Sequence, residues 1–165
     1  MRVTCVLASA TSVGCASGAP MRAGAESDSL TVPLRRLPEI TGDVRVLTGI
    51  YVPRREVVHT DVRWAALWHD LRQSMVPAGP VPRVNFDYYM LLFAAAGSRK
   101  NDGYSIDIAA AYIRRDSLFV VVHTRCPVPV GGVGYGQFRT APIDVALVPR
   151  STRPLSFVEE TSGKC

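Results

Sequence analysis

At 165 residues the chain is long enough for one domain with a sizeable apolar core plus tails, without metals or many disulfides. Its apolar fraction of 47% and charged fraction of 20% exclude disorder of the whole. The net charge of +5 is spread over separated pairs, Arg35-Arg36, Arg54-Arg55 and Arg114-Arg115, with acids nearby; no basic stripe with interleaved aromatics is readable, which argues against a nucleic-acid binder.

The amino terminus holds Arg2, then Val3 to Val13 without a charge, then Gly14-Cys15. A basic start, a short apolar region and small residues at the cut have the shape of a secretory signal. A cut before Cys15 makes residues 1–14 the signal and the Cys15 thiol a lipid-attachment site, which places the domain in the cell envelope, anchored on a periplasmic or extracellular face. Two alternatives remain open: a cut after Ala8-Ser9-Ala10 would release a soluble secreted protein, and a misassigned start would leave the chain in the cytosol. The apolar region is too short to cross a bilayer as a helix, so the lipid would be the only membrane contact.

Residues 15–41 read as a flexible tether, being Gly, Ala, Ser, Pro and charges with no apolar period, and the domain is expected over 42–165. Val44, Val46, Thr48, Ile50 and Val52 fall on one face of an extended segment that ends at Pro53. Val57-Val58 gives a second, short strand. Thr60 or Asp61 then caps a helix whose stripe is Trp64, Leu67, Trp68, Leu71 and Met75, stopped by Pro77, Gly79, Pro80 and Pro82. Tyr88 to Ala96 is nearly all apolar and reads as a strand buried on both faces. Tyr104 to Ala110 alternates and reads as its antiparallel partner across the Gly-, Asn- and Asp-rich turn, making a hairpin. Leu118 to His123 is a further buried strand, and Ile143 to Val148 another, punctuated by Pro142 and Pro149. The expected fold is α+β and mainly β: an antiparallel sheet with one amphipathic helix packed on a face.

Four cysteines are present, and loss of the leader removes Cys5 and commits Cys15. Cys126 and Cys165 could then close a disulfide in an oxidising compartment, or Cys165, at the last position, could fray and stay free. No cysteine spacing suits structural zinc, and His59, His69 and His123 form no metal pattern, so neither metal nor cofactor is expected. Ser105 follows Gly103-Tyr104 but continues into a strand, unlike a hydrolase elbow; Gly103 is expected at positive φ in the turn and the Tyr104 ring in the core. Gly131-Gly132-Val133-Gly134-Tyr135-Gly136 lacks the third glycine, the lysine and the following helix of a phosphate cradle. It reads as a long loop, and long loops beside a rigid sheet favour recognition. The candidate partner-binding surface is therefore this loop, with Tyr135 and Phe138 as aromatic anchors, beside a turn carrying Asn101, Asp102 and Tyr104. The bland alternative folds both rings back on the sheet.

In order, Arg54 to Val58, the helix with Trp64 and Trp68, Pro82 to Phe86, the Tyr89-Met90-Leu91-Leu92-Phe93 and Gly103 to Ile108 pair, Pro127, the glycine loop, Thr140-Ala141-Pro142 and a tail through Pro154 to Glu160 resemble the PrcB family from roughly Val44 to Glu160. These are small envelope lipoproteins, one of them named as a subunit of a surface protease complex. The resemblance implies a non-catalytic envelope domain that binds a protein partner, with a secreted or surface protease first to look for. The alternative is a cysteine-protease inhibitor of the chagasin type, whose loops Asn101 to Tyr104, Gly131 to Gly134 and Arg153-Pro154 resemble in order.

Overall fold

The computed structural model describes residues 29–40, 48–73, 79–128, 134–163 and 165. Among them the elements run β1 (Ser29–Val32), β2 (Arg35–Arg36), β3 (Arg54–Val58), α1 (Asp61–Arg72), β4 (Tyr89–Ala95), β5 (Ser105–Arg114), β6 (Ser117–Arg125), β7 (Ile143–Pro149) and β8 (Leu155–Ser162). The fold is mainly β, with two four-stranded sheets, mostly antiparallel, and one helix. Sheet I has the order β1-β5-β6-β8 and sheet II the order β2-β7-β4-β3.

Sheet II is the middle of three layers. Leu91, Phe93 and Ala95 of β4 join Ile143, Val145 and Leu147 of β7 under the helix, while Met90, Leu92, Ala94, Ala146 and Val148 meet sheet I. With both faces covered, β4 reads as an unbroken apolar run and β7 as one broken at Asp144. Sheet I has one solvated face. Leu118, Val120 and Val122 of β6 therefore point into the core while Phe119, Val121 and His123 are half-exposed, correcting the expectation that this strand is buried on both sides.

The helix matches its sequence signals. Thr60 is the N-cap and its hydroxyl accepts from the Arg63 N–H, Asp61 stands in the first turn against the positive helix end, and Trp64, Leu67, Trp68 and Leu71 are buried. Trp64 Nε1 donates to the Pro82 carbonyl at 2.8 Å, so the proline-rich exit loop is stitched to the stripe it follows. Glu56 of β3 takes a forked pair of bonds from Arg63, an interaction that raises the arginine's already high pKa. Met75 and Pro77 lie outside the described residues.

Three expectations change, and one element forms where none was expected. The hairpin does not form: β4 pairs with β3 and β7, β5 pairs with β1 and β6, and 96–104 is a crossing from one sheet to the other. The true hairpin is β5–β6, turned at Arg115, whose φ of 55° is left-handed. Residues 29–40, within the stretch read as a tether, hold β1, β2 and a turn that sends Leu37 and Ile40 into the core under the helix. Of the strand expected over Val44 to Val52, 44–47 lie outside the described residues and 48–52 are irregular; Thr48 and Ile50 are buried by packing and by a Thr48 hydroxyl bond to the Ala141 carbonyl, without a ladder. Finally, the tail forms β8, which runs parallel to β6.

One buried carboxylate ties the sheets together. Asp144 of β7 is 2% exposed, accepts from the Ile108 N–H at 2.7 Å and pairs with Arg36, whose guanidinium also donates to the Ile108 carbonyl at 2.6 Å. Ile108 borders a β-bulge, beyond the point where the β1 ladder ends at Val32 and Ala111, and side chains from sheet II satisfy its backbone there.

Candidate functional site

Two connections meet at one end of the sandwich: 96–104, between β4 and β5, and 126–142, between β6 and β7. They continue the β4–β7 pairing past the strand ends, since the Ala96 N–H donates to the Pro142 carbonyl and Arg99 and Thr140 exchange bonds at 2.7 and 3.1 Å. The Asn101 side chain accepts from the Gly103 N–H at 3.1 Å, a local Asx turn, and the Asn101 backbone carbonyl accepts from the Thr140 hydroxyl at 2.8 Å.

This frame brings the two expected halves of the surface together. Asp102 Oδ1 accepts from the Gly136 N–H at 2.8 Å. The Tyr135 ring lies on Gly103 so closely that a Cβ there would stand 2.6 Å from ring carbons. Close approach, and not positive φ, is therefore why glycine is needed at 103, since the positive-φ glycines described are Gly79, Gly97 and Gly163. Tyr104 is half-buried beneath the Arg99 guanidinium, 5.3 Å from the ring centroid, so it is not a core ring.

The two aromatic anchors part company. The Tyr135 hydroxyl donates to the Val128 carbonyl at 2.9 Å and accepts from the Val128 N–H at 3.2 Å, so this ring clamps its own loop to the turn. Phe138 lies over Gly136 and remains 49% exposed. Gly131, Gly132 and Val133 lie outside the described residues, as does Cys15.

Cys126 and Cys165 form a disulfide with Cα atoms 5.3 Å apart. It fastens the end of β8 to the end of β6, where the Cys126 N–H also donates to the Ser162 carbonyl at 2.8 Å. His59 and His69 are exposed; His123 Nε2 stands 3.0 Å from the Ser162 hydroxyl on the solvated face of sheet I. Sequence reasoning missed this pairing because no local pattern links residues on β6 and β8. Among the described residues no group of three or more His, Cys, Asp or Glu is placed to hold a metal ion, and no helix is long and apolar enough to cross a membrane.

The three loops of the inhibitor alternative do not share an edge. Pro154 accepts from the Leu118 N–H at the start of β6, whereas Ser105, just after the Asn101 to Tyr104 turn, pairs with Arg125 at its end. The nine residues of β6 at about 3.3 Å each separate these loops by roughly 25 Å. At the Pro154 end, Leu30, Val32, Ile113, Leu118, Arg150 and Arg153 help line a groove of about 590 Å³ between the sheets.

Comparisons with protein-family models, with curated proteins and with solved structures find no match to this chain.

Proposed function

We propose that this is a non-catalytic envelope domain, lipid-anchored at Cys15, that binds a protein partner through the joined 101–104 and 134–138 loops. The observation that carries the reading is the division of labour at the site: Asp102 and Tyr135 hold the loops to each other, and this rigid base leaves the Phe138 ring in solvent. A large ring presented on a pre-ordered base binds with little loss of conformational freedom. The Cys126–Cys165 disulfide supports a location outside the cytoplasm, where thiols oxidise and persist. A secreted or surface protease is the first partner to look for, on the resemblance to the PrcB family. The inhibitor reading draws less support, since its third loop lies at the far end of the sandwich.

The test is a pull-down of tagged full-length protein from a detergent-solubilised envelope fraction after mild crosslinking, run beside Phe138→Ala. A partner captured by the native chain and lost with Phe138→Ala, at an unchanged melting temperature, supports the proposal. Equal capture by both removes the loop surface from it.

A further inference from the structure

We infer that β8 pairs with β8 of a second copy of this chain, joining two sheets I edge to edge about a two-fold axis at Val158. The direction of the backbone groups comes first. The Leu118 N–H donates to the Pro154 carbonyl and the Cys126 N–H to the Ser162 carbonyl, so the even-numbered residues of 154–162 turn their backbone toward β6. Leu155, Phe157, Glu159 and Thr161 must then turn their N–H and C=O groups away from it. β8 is the last strand of its sheet, and no hydrogen bond among the described residues takes up those groups. An edge of this length is a template for another strand unless something guards it.

The usual guards are missing or neutralised. No proline interrupts β8, and its bulge-free register with β6 runs from Leu155 to Ser162. The inward charge, Glu159, is held by a forked pair of 2.8 Å bonds from Arg55 of sheet II, so it no longer repels an incoming strand. Leu155 and Phe157 already pack toward the core, which leaves the edge straight and fastened at its far end by the disulfide.

The register selects a second copy as the occupant. Antiparallel pairing must oppose outward-facing residues to one another, which restricts the two-fold to lie on a residue of β8. Centred on Val158, Phe157 faces Glu159 and Leu155 faces Thr161 in hydrogen-bonded pairs, while Val158 faces Val158 and Ser156 faces Glu160 in the others. Centres on Glu159 or Glu160 oppose like charges, and centres nearer Leu155 shorten the ladder. The Val158 register is the one that uses all of β8 without setting a glutamate against a glutamate. Such an interface is isologous and closes at the dimer.

Sedimentation velocity of the full-length protein, in detergent and with Cys5→Ser and Cys15→Ser to remove other thiols, is expected to show a dimer. Val158→Cys in that background places two thiols across a non-hydrogen-bonded pair, with Cα atoms about 4.5 Å apart, and oxidation should link the copies. Ser156→Cys puts each thiol about 13 Å from its mate and should not. Thr161→Pro, at an exposed position, deletes an outward N–H and should raise the dissociation constant about tenfold or more. A monomer at all concentrations, or equal linking of Val158→Cys and Ser156→Cys, overturns the inference. A dimer indifferent to Thr161→Pro and unlinked by Val158→Cys overturns it as well, by placing the interface elsewhere.

Discussion

Asp144→Ala tests whether the two sheets are held together by a polar tie as well as by apolar burial. The carboxylate is 2% exposed and receives the Ile108 N–H at 2.7 Å, together with Arg36. Deleting it strands a buried N–H at the bulge, at a cost of about 1–3 kcal/mol. Loss of the ion pair adds less than a fully buried pair would, because the Arg36 side chain is 47% exposed and can turn to water. The expected total is about 2–4 kcal/mol, read from the urea midpoint at constant slope. Asp144→Asn keeps an acceptor for Ile108 and should lose about half as much. Arg36→Ala should cost less than Asp144→Ala, since the carboxylate retains the Ile108 N–H. The reasoning is refuted if Asp144→Ala changes stability by under about 0.5 kcal/mol, or if Asn and Ala are equivalent.

Three further outcomes follow from the geometry. Trp64→Ala, at a site 1% exposed, and Trp68→Ala should each cost about 3–5 kcal/mol in chemical denaturation, and a midpoint unchanged by both would separate the helix from the core. Reducing the Cys126–Cys165 disulfide, which spans 39 residues, should lower stability by about 4 kcal/mol on the chain-entropy account; loss of under about 1 kcal/mol would show that the loop is restrained without it. Gly103→Ala pushes a methyl into the Tyr135 ring, where the contact would be 2.6 Å, and should quicken amide exchange at Val128 and Gly136 while leaving that of β6 unchanged. Unchanged exchange at both amides would mean that the ring does not hold the loops together.

Local physics made much of this chain legible before any coordinates. The Thr60 cap and the spacing of Trp64, Leu67, Trp68 and Leu71 specify α1, because capping and a 3.6-residue period act within a few turns of one segment. The unbroken apolar run of β4 announced a strand buried on both faces. The turn at Asn101 to Tyr104 and the loop carrying Tyr135 and Phe138 were expected side by side, and the Asp102 carboxylate joins them by accepting from the Gly136 N–H.

What only the tertiary structure decided is which segments pair with which. A turn rich in Gly, Asn and Asp looks the same whether the chain returns along its own sheet or crosses to another, so 96–104 read as a hairpin though it links two layers. Ser29 to Arg36 is short and split by Pro33, and it becomes two strands because open ladder positions on β5 and β7 receive it. The roles of Tyr135 and Phe138 diverge for the same reason. The Tyr135 ring meets Gly103 of the other connection as well as the Val128 backbone of its own loop, whereas Phe138 lies over its near neighbour Gly136 and stays exposed, and a meeting such as Tyr135 with Gly103 arises from packing between segments that carry no record of each other.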